Sequence, residues 1–196
     1  MYPSGTRPRL EVMVKGSDNP SGAENQQERL IRTGWVIGFV DGEGCFSIGF
    51  VRQPNRGSRK GYVAGYQVVH RFVVAQGAKS YACLEELQKF FEAGRIYRNR
   101  RNDNHKEDMF QFIVGRRDEL IETIIPFFRG NPLRTTKRED FERFEQCMEI
   151  VQADRHRTVQ GLVEIAEITQ TMNHRKSRKD LIRILRGHTP NTPITG

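Results

Sequence analysis

Cysteine is sparse in this chain. Cys45, Cys83 and Cys147 are odd in number and far apart, a pattern that excludes a disulfide framework and matches no zinc-ligand spacing. The five histidines are scattered and outline no metal site. No apolar run approaches the roughly 20 residues needed to span a membrane. The amino terminus has no apolar core of the signal-peptide kind, so the expected location is intracellular, in cytoplasm, nucleoid or organelle. Mean hydropathy is −0.66, and 196 residues suffice for one domain with a real core.

Acidic residues are few just where basic ones gather. Between Arg52 and Arg101 stand eleven Lys or Arg against only Glu85, Glu86 and Glu92. That block carries +8, the formal charge of the whole chain, so the remainder is close to neutral. Such a concentration points to a polyanion, although a charge run taken alone reads equally well as a solvated face. Lysine is scarce too, 8 against 24 arginines, which favours forked contacts to phosphate or guanine over point-charge attraction.

Residues 36–44, Val-Ile-Gly-Phe-Val-Asp-Gly-Glu-Gly, hold the strongest signal. Gly34, Gly38 and Gly42 are spaced by four, a bare stripe along one side of a helix. Each costs about 1 kcal/mol of helix stability relative to Ala, and close approach of another backbone is the usual compensation. The helix then runs into Asp41 and Glu43, although a helix C-terminus disfavours negative charge. Two such ends meeting would gather carboxylates that a hard divalent cation neutralises. The plain alternative is a core helix ending in an Asp-Gly turn.

Along the chain, residues 1–23 read as an arm, partly flexible, and 188–196 as a frayed tail, leaving 24–187 as one domain. Ser21 and Glu24 have capping-box spacing for a helix running to about Asp41. Phe46, Ile48 and Phe50 alternate as a strand, 53–61 is a loop of turn formers, and a second strand covers 62–76. A helix over 79–92, strands over 95–101 and 109–114, and a helix over 118–128 with Ile121, Ile124 and Ile125 inward follow. Three helices near 137–153, 157–172 and 177–187 finish the chain. The order αββαββα is an α+β arrangement with four antiparallel strands available to one sheet. Alternation offers Ser47, Gly49, Val51 and Gln53 for its open face, with Arg52, Arg56, Arg59 and Lys60 around the loop. Gln67, Val69, Arg71 and Val73 follow on the second strand. On the third, Arg95, Tyr97 and Asn99 oppose Arg98 and Arg100, and alternation does not choose between the sets.

The motif resembles the signature of the LAGLIDADG homing endonucleases, matching at Gly38, Asp41, Gly42 and Gly44 with Glu43 as second acid. Phe72-Val73-Val74-Ala75-Gln76, Pro126-Phe127-Phe128 and Asn173 to Lys179 fall at the spacings of the single-motif, homodimeric branch. The resemblance implies a curved saddle on the DNA major groove, formed by the open-face residues above, backed by helices. It implies Mg²⁺ or another divalent cation held by Glu43 of each subunit, with the carbonyl region of Asp41 and Gly42 nearby. It gives Gln76 the attacking water, and Lys137, or else Arg134, the transition-state charge; Arg175 and Lys176 approach DNA backbone. The sequence contains no second copy of the motif, so the stripe predicts a two-fold homodimer reading a long near-palindromic double-stranded DNA site. The implied activity is site-specific double-strand cleavage by an intron-encoded enzyme. A non-cleaving RNA maturase or a transcription-factor-like binder on the same scaffold is the alternative.

Overall fold

The structure, a computed structural model, describes residues 20–53, 65–99, 108–173 and 177–187, with side chains from Asn25 onward. The chain divides into two units, 1–34 and 35–196. In the first, the described residues are helical, and Leu30 and Ile31 are exposed apolar side chains. Helix α1 is Pro20–Glu43, so it starts a residue ahead of Ser21 and ends two residues beyond Asp41. Proline suits the first turn of a helix, where its missing N–H would be unpaired anyway.

Strand β1 (Gly44–Arg52) begins with no linker after α1. Gly44 permits this. A Cβ there would lie 2.6 Å from the Val40 side chain and 2.8 Å from its carbonyl oxygen, so only glycine lets the helix turn directly into the strand. Strand β2 is Tyr66–Gly77, followed after a 3₁₀ turn by α2 (Tyr81–Phe91), β3 (Arg95–Asn99) and β4 (Met109–Val114). The four strands form one antiparallel sheet in the order β1-β2-β4-β3.

Helix α3 covers residues 117–130 and differs from the plain helix expected there. A π-helical turn, Leu120–Ile124, interrupts it, and the Ile125 N–H bonds back to Leu120. Pro126 explains the interruption, because its ring clashes with the carbonyl four residues back in a regular helix and it has no N–H to give. The inward set is therefore Leu120, Ile124, Ile125 and Phe128, with Ile121 only half-buried. Helices α4 (Lys137–Gln152), α5 (Val159–Thr169) and α6 (Lys179–Arg186) complete the fold.

Helices cover one face of the sheet. Phe46, Phe72, Phe112, Phe128 and Phe144 are fully buried there, with Phe46 stacked on Phe72 at 5.0 Å between ring centres. Aromatic residues of this size each bury roughly 150–250 Å². Ladder partners share a face, so register defines both sides. Phe46↔Phe72 and Phe72↔Val114 belong inside, whereas Ser47↔Arg71, Val73↔Ile113 and Arg95↔Ile113 belong to the open side.

Candidate functional site

The acidic end of α1 is tied to the start of α4 by bonds running both ways. Asp41 accepts from the backbone N–H of Arg134 (2.7 Å) on one oxygen; on the other it accepts from the N–H (3.2 Å) and hydroxyl (2.8 Å) of Thr135. In return, Lys137 Nζ donates to the carbonyls of Val40 (3.2 Å) and Gly42 (3.0 Å), two of the carbonyls that a helix end leaves without intrahelical partners. Burial alone would raise the Asp41 carboxyl, but the Arg134 and Thr135 hydrogen bonds and the Lys137 charge outweigh it and hold it below its ordinary value. Lys137 is shifted down, chiefly by burial, against the opposing pull of Cys45, Asp41, Glu43 and Asp140.

Glu43 stands one residue beyond this tie, exposed, and its carboxylate makes no hydrogen bond to the described residues. Both Asp41 oxygens are engaged by the loop, so Asp41 builds the frame and Glu43 is the uncommitted carboxylate. Arg134 touches Asp41 only through its backbone, and its side chain is exposed, so the basic group beside the motif is Lys137. Gln76 lies past the last β1 pairing, Gly44↔Val74, at the same end of the sheet as Glu43. It is half-buried opposite Phe110, on the side shared with Phe72 and Val74.

Gly38 and Gly42 have no internal reason to be glycine. A Cβ built at either meets nothing within 4 Å, and the same holds for Gly34. Their α1 face is bare outward, unlike Gly44, which the fold itself requires.

On the open face the ladder gathers Cys45, Ser47, Gly49 and Val51 with Gln67, Val69, Arg71, Val73 and Ala75, then Gln111 and Ile113, then Arg95, Tyr97 and Asn99. A concavity of about 840 Å³ opens here, lined by Gln67, Val69, Arg71, Arg95, Tyr97 and Ile113 among others. Register thus resolves the third strand. Arg98 leaves the open-face set, since it stands opposite Phe110 on the other side and pairs with Asp108. Arg52 has the inner side's alternation but is exposed at the strand end, and Gln53 donates to Gln67 at 3.4 Å. Arg56, Arg59, Lys60, Arg100, Arg175 and Lys176 lie outside the described residues.

Sequence reasoning missed three participants. Thr135 was invisible because it matters only through Asp41, 94 positions away. Asn173, in the left-handed region at φ 49°, donates from its amide nitrogen to the Phe46 carbonyl (3.0 Å) and from its N–H to Asp140 (2.8 Å). Gln111 alternates with Phe110 and Phe112 and could have been read from that pattern.

Comparison with known proteins agrees with this geometry. The family described as LAGLIDADG endonuclease matches residues 36–148. A probable intron-encoded endonuclease 2 of Neurospora crassa is 30% identical over 140 residues, 70% of this chain but 26% of that protein. The chain spans about a quarter to a third of the curated relatives it matches. The crystal structure of the homing endonuclease I-TnaI superposes with a TM-score of 0.65 at 34% identity, covering 79% of this chain and 95% of that one. The I-SmaMI LAGLIDADG homing endonuclease bound to cleaved DNA superposes with a TM-score of 0.67 at 27% identity, covering 82% of this chain and 49% of that one.

Proposed function

Because the chain belongs to the LAGLIDADG endonuclease family, we propose that it is a site-specific double-strand DNA endonuclease of the homing type, working as a homodimer. The observation that carries this reading is an uncommitted carboxylate, Glu43, held beside a half-buried lysine at the end of a helix whose outward face is bare. A protein that only binds DNA has no use for that pairing. Relatives named as intron-encoded support an origin inside an intron and action on intracellular DNA.

One chain supplies half of the chemistry. Among the described residues no group of three acidic, histidine or cysteine side chains gathers to hold a metal. Two copies meeting along Gly38 and Gly42 would bring two Glu43 carboxylates and the adjoining carbonyls together. Hard oxygen donors of this kind fit Mg²⁺. When bound, such an ion lowers the pKa of its water and neutralises charge on the scissile phosphate.

The chain's own groups do the rest. Asp41, engaged through both oxygens, fixes the loop before α4 and thereby the lysine. Lys137 places a positive charge beside the reacting phosphate, whose oxygens gain negative charge as the phosphorus becomes five-coordinate. Gln76, at the Glu43 end of β2, orients the attacking water through its amide. The open sheet face reads a half-site in the major groove, with Arg71, Arg95, Gln67 and Gln111 as its polar contacts. Arg175 and Lys176 are assigned to DNA backbone.

The test is cleavage of a DNA library of candidate insertion sites with Mg²⁺, comparing the wild type with Glu43→Gln. Defined breaks at a near-palindromic sequence, lost in the variant while DNA binding persists, are expected. Selective binding by both proteins with cutting by neither would instead favour the maturase or regulator.

A further inference from the structure

We propose that Thr135 is a positioning residue whose hydroxyl sets where the Lys137 ammonium stands; this rests on the endonuclease reading above. The hydroxyl makes two contacts at once. It donates to Asp41 Oδ1 at 2.8 Å and accepts from the Lys137 backbone N–H at 3.2 Å. The same lysine reaches back through Nζ to the Gly42 carbonyl at 3.0 Å. These bonds close a circuit from the α1 end, through Thr135, into the first turn of α4 and back to the α1 end.

Neighbouring groups do not duplicate this link. The Arg134 and Thr135 backbone N–H groups fasten the loop to Asp41 but make no bond to Lys137. Thr136, directly before α4, makes no side-chain capping bond to it. Among the described side chains, only the Thr135 hydroxyl bonds both Asp41 and the Lys137 backbone. Thr135 is exposed, so packing does not explain it. The chemistry is specific: of the two groups on the threonine Cβ, the hydroxyl donates and accepts at one oxygen, and the methyl does neither.

A lysine stem is flexible, and its reach is useful to a phosphate only when its root is fixed. Without the hydroxyl the Arg134 and Thr135 backbone N–H groups still hold the loop to Asp41, and the Arg138 N–H still bonds the Thr135 carbonyl, but the Lys137 N–H loses its acceptor and Nζ samples positions away from Gly42 and Glu43. Binding of DNA along the sheet face does not depend on this tie, so the effect falls on the rate of cutting alone.

The experiment uses the full chain and one duplex that the wild type cleaves with Mg²⁺. Cleavage under enzyme excess, DNA affinity and dimer mass are measured for wild type, Thr135→Val, Thr135→Ser, Lys137→Met and the Val/Met double variant. Thr135→Val is expected to cut about tenfold more slowly, as loss of one or two hydrogen bonds in a catalytic frame implies, at unchanged affinity and mass. Thr135→Ser restores the rate, and Thr135→Val adds nothing once Lys137 is methionine. A wild-type rate in Thr135→Val, a Ser variant as slow as Val, a parallel loss of affinity, or additive effects in the double variant would each overturn the proposal. If the wild type itself cuts no DNA, the endonuclease reading fails first, and the proposal with it.

Discussion

Lys137 Nζ lies 3.0 Å from the carbonyl oxygen of Gly42, across 95 positions of sequence. The lysine therefore has two physical roles in one place. It caps the carbonyl end of α1, a favourable site for a cation, and it stands next to the one acidic side chain of the motif that the fold leaves uncommitted.

These roles separate by size. Loss of a cation at a helix C-terminus costs about 0.3–1 kcal/mol at a partly exposed site. Loss of a charge aimed at a transition state costs on the order of 10²–10³ in rate. Lys137→Met is therefore expected to unfold at nearly the wild-type urea midpoint while cutting at least about a hundredfold more slowly. A proportionate loss of both would reduce Lys137 to a structural cap.

The bare face of α1 makes an opposed pair of expectations at Gly38. Alanine there meets nothing within 4 Å in the single chain and improves helix propensity by up to about 1 kcal/mol. Gly38→Leu should likewise leave the chain folded but keep two helices from approaching closely. If the wild type sediments as the proposed dimer, the leucine variant should sediment as monomer, with cleavage lost. A leucine variant that remains dimeric and active would place the dimer contact elsewhere.

Arg71 projects from the open face between Val69 and Val73, opposite Ser47, and no acid pairs with it among the described residues. Such an arginine suits the two acceptors of guanine in the major groove, a contact worth about 1–3 kcal/mol of discrimination. Cleavage of a target library by Arg71→Ala should relax preference at one position of each half-site and leave the others unchanged. A uniform loss of affinity with a smaller salt slope would instead mark a phosphate contact.

His70, which lines the sheet concavity, and His156 supply a pH dependence separate from the Asp41–Lys137 tie. Each is shifted down by burial first, then by the other imidazole or by Arg117; Arg157 adds to the shift on His156, and Asp154 opposes it there. Both also bury an Nδ1 that has no hydrogen-bond partner. The unfolded chain, with histidines near pH 6.5, takes up protons before the folded one. Stability is therefore fully present above that value and falls as pH drops through it toward the lower folded values. The urea midpoint should decline between pH 7.5 and 5.5, and His70→Leu should flatten that slope. An unchanged slope would rule out His70 as its source.

The site was legible in the sequence wherever one short segment carried its own signal. The glycine stripe, Asp41, Glu43 and the alternation of Phe46, Ile48 and Phe50 are local patterns; α1 carries the stripe with both acids at its end, and β1 buries Phe46 and Ile48 with Phe50 half-buried. The third strand was different. Ile96 is flanked by polar residues of both parities, so Arg95 and Arg98 had equal claims to the open face until pairing with β4 put Ile96 opposite Phe112. The π-helical turn in α3 likewise follows from Pro126 but cannot be placed by hydrophobic period alone, since the period itself slips there.

The sequence by itself determined an acidic helix end, a bare helix face and a basic two-sided sheet, because each is a repeat of side-chain type over a few residues. Tertiary structure decided which basic residue stands beside Glu43 and which arginines share the open face. Those outcomes depend on contacts across about a hundred residues, such as Asp41 with Thr135 and Lys137 with Gly42. Only the closed chain brings such groups within hydrogen-bonding distance, and no local period encodes where a loop between them will end.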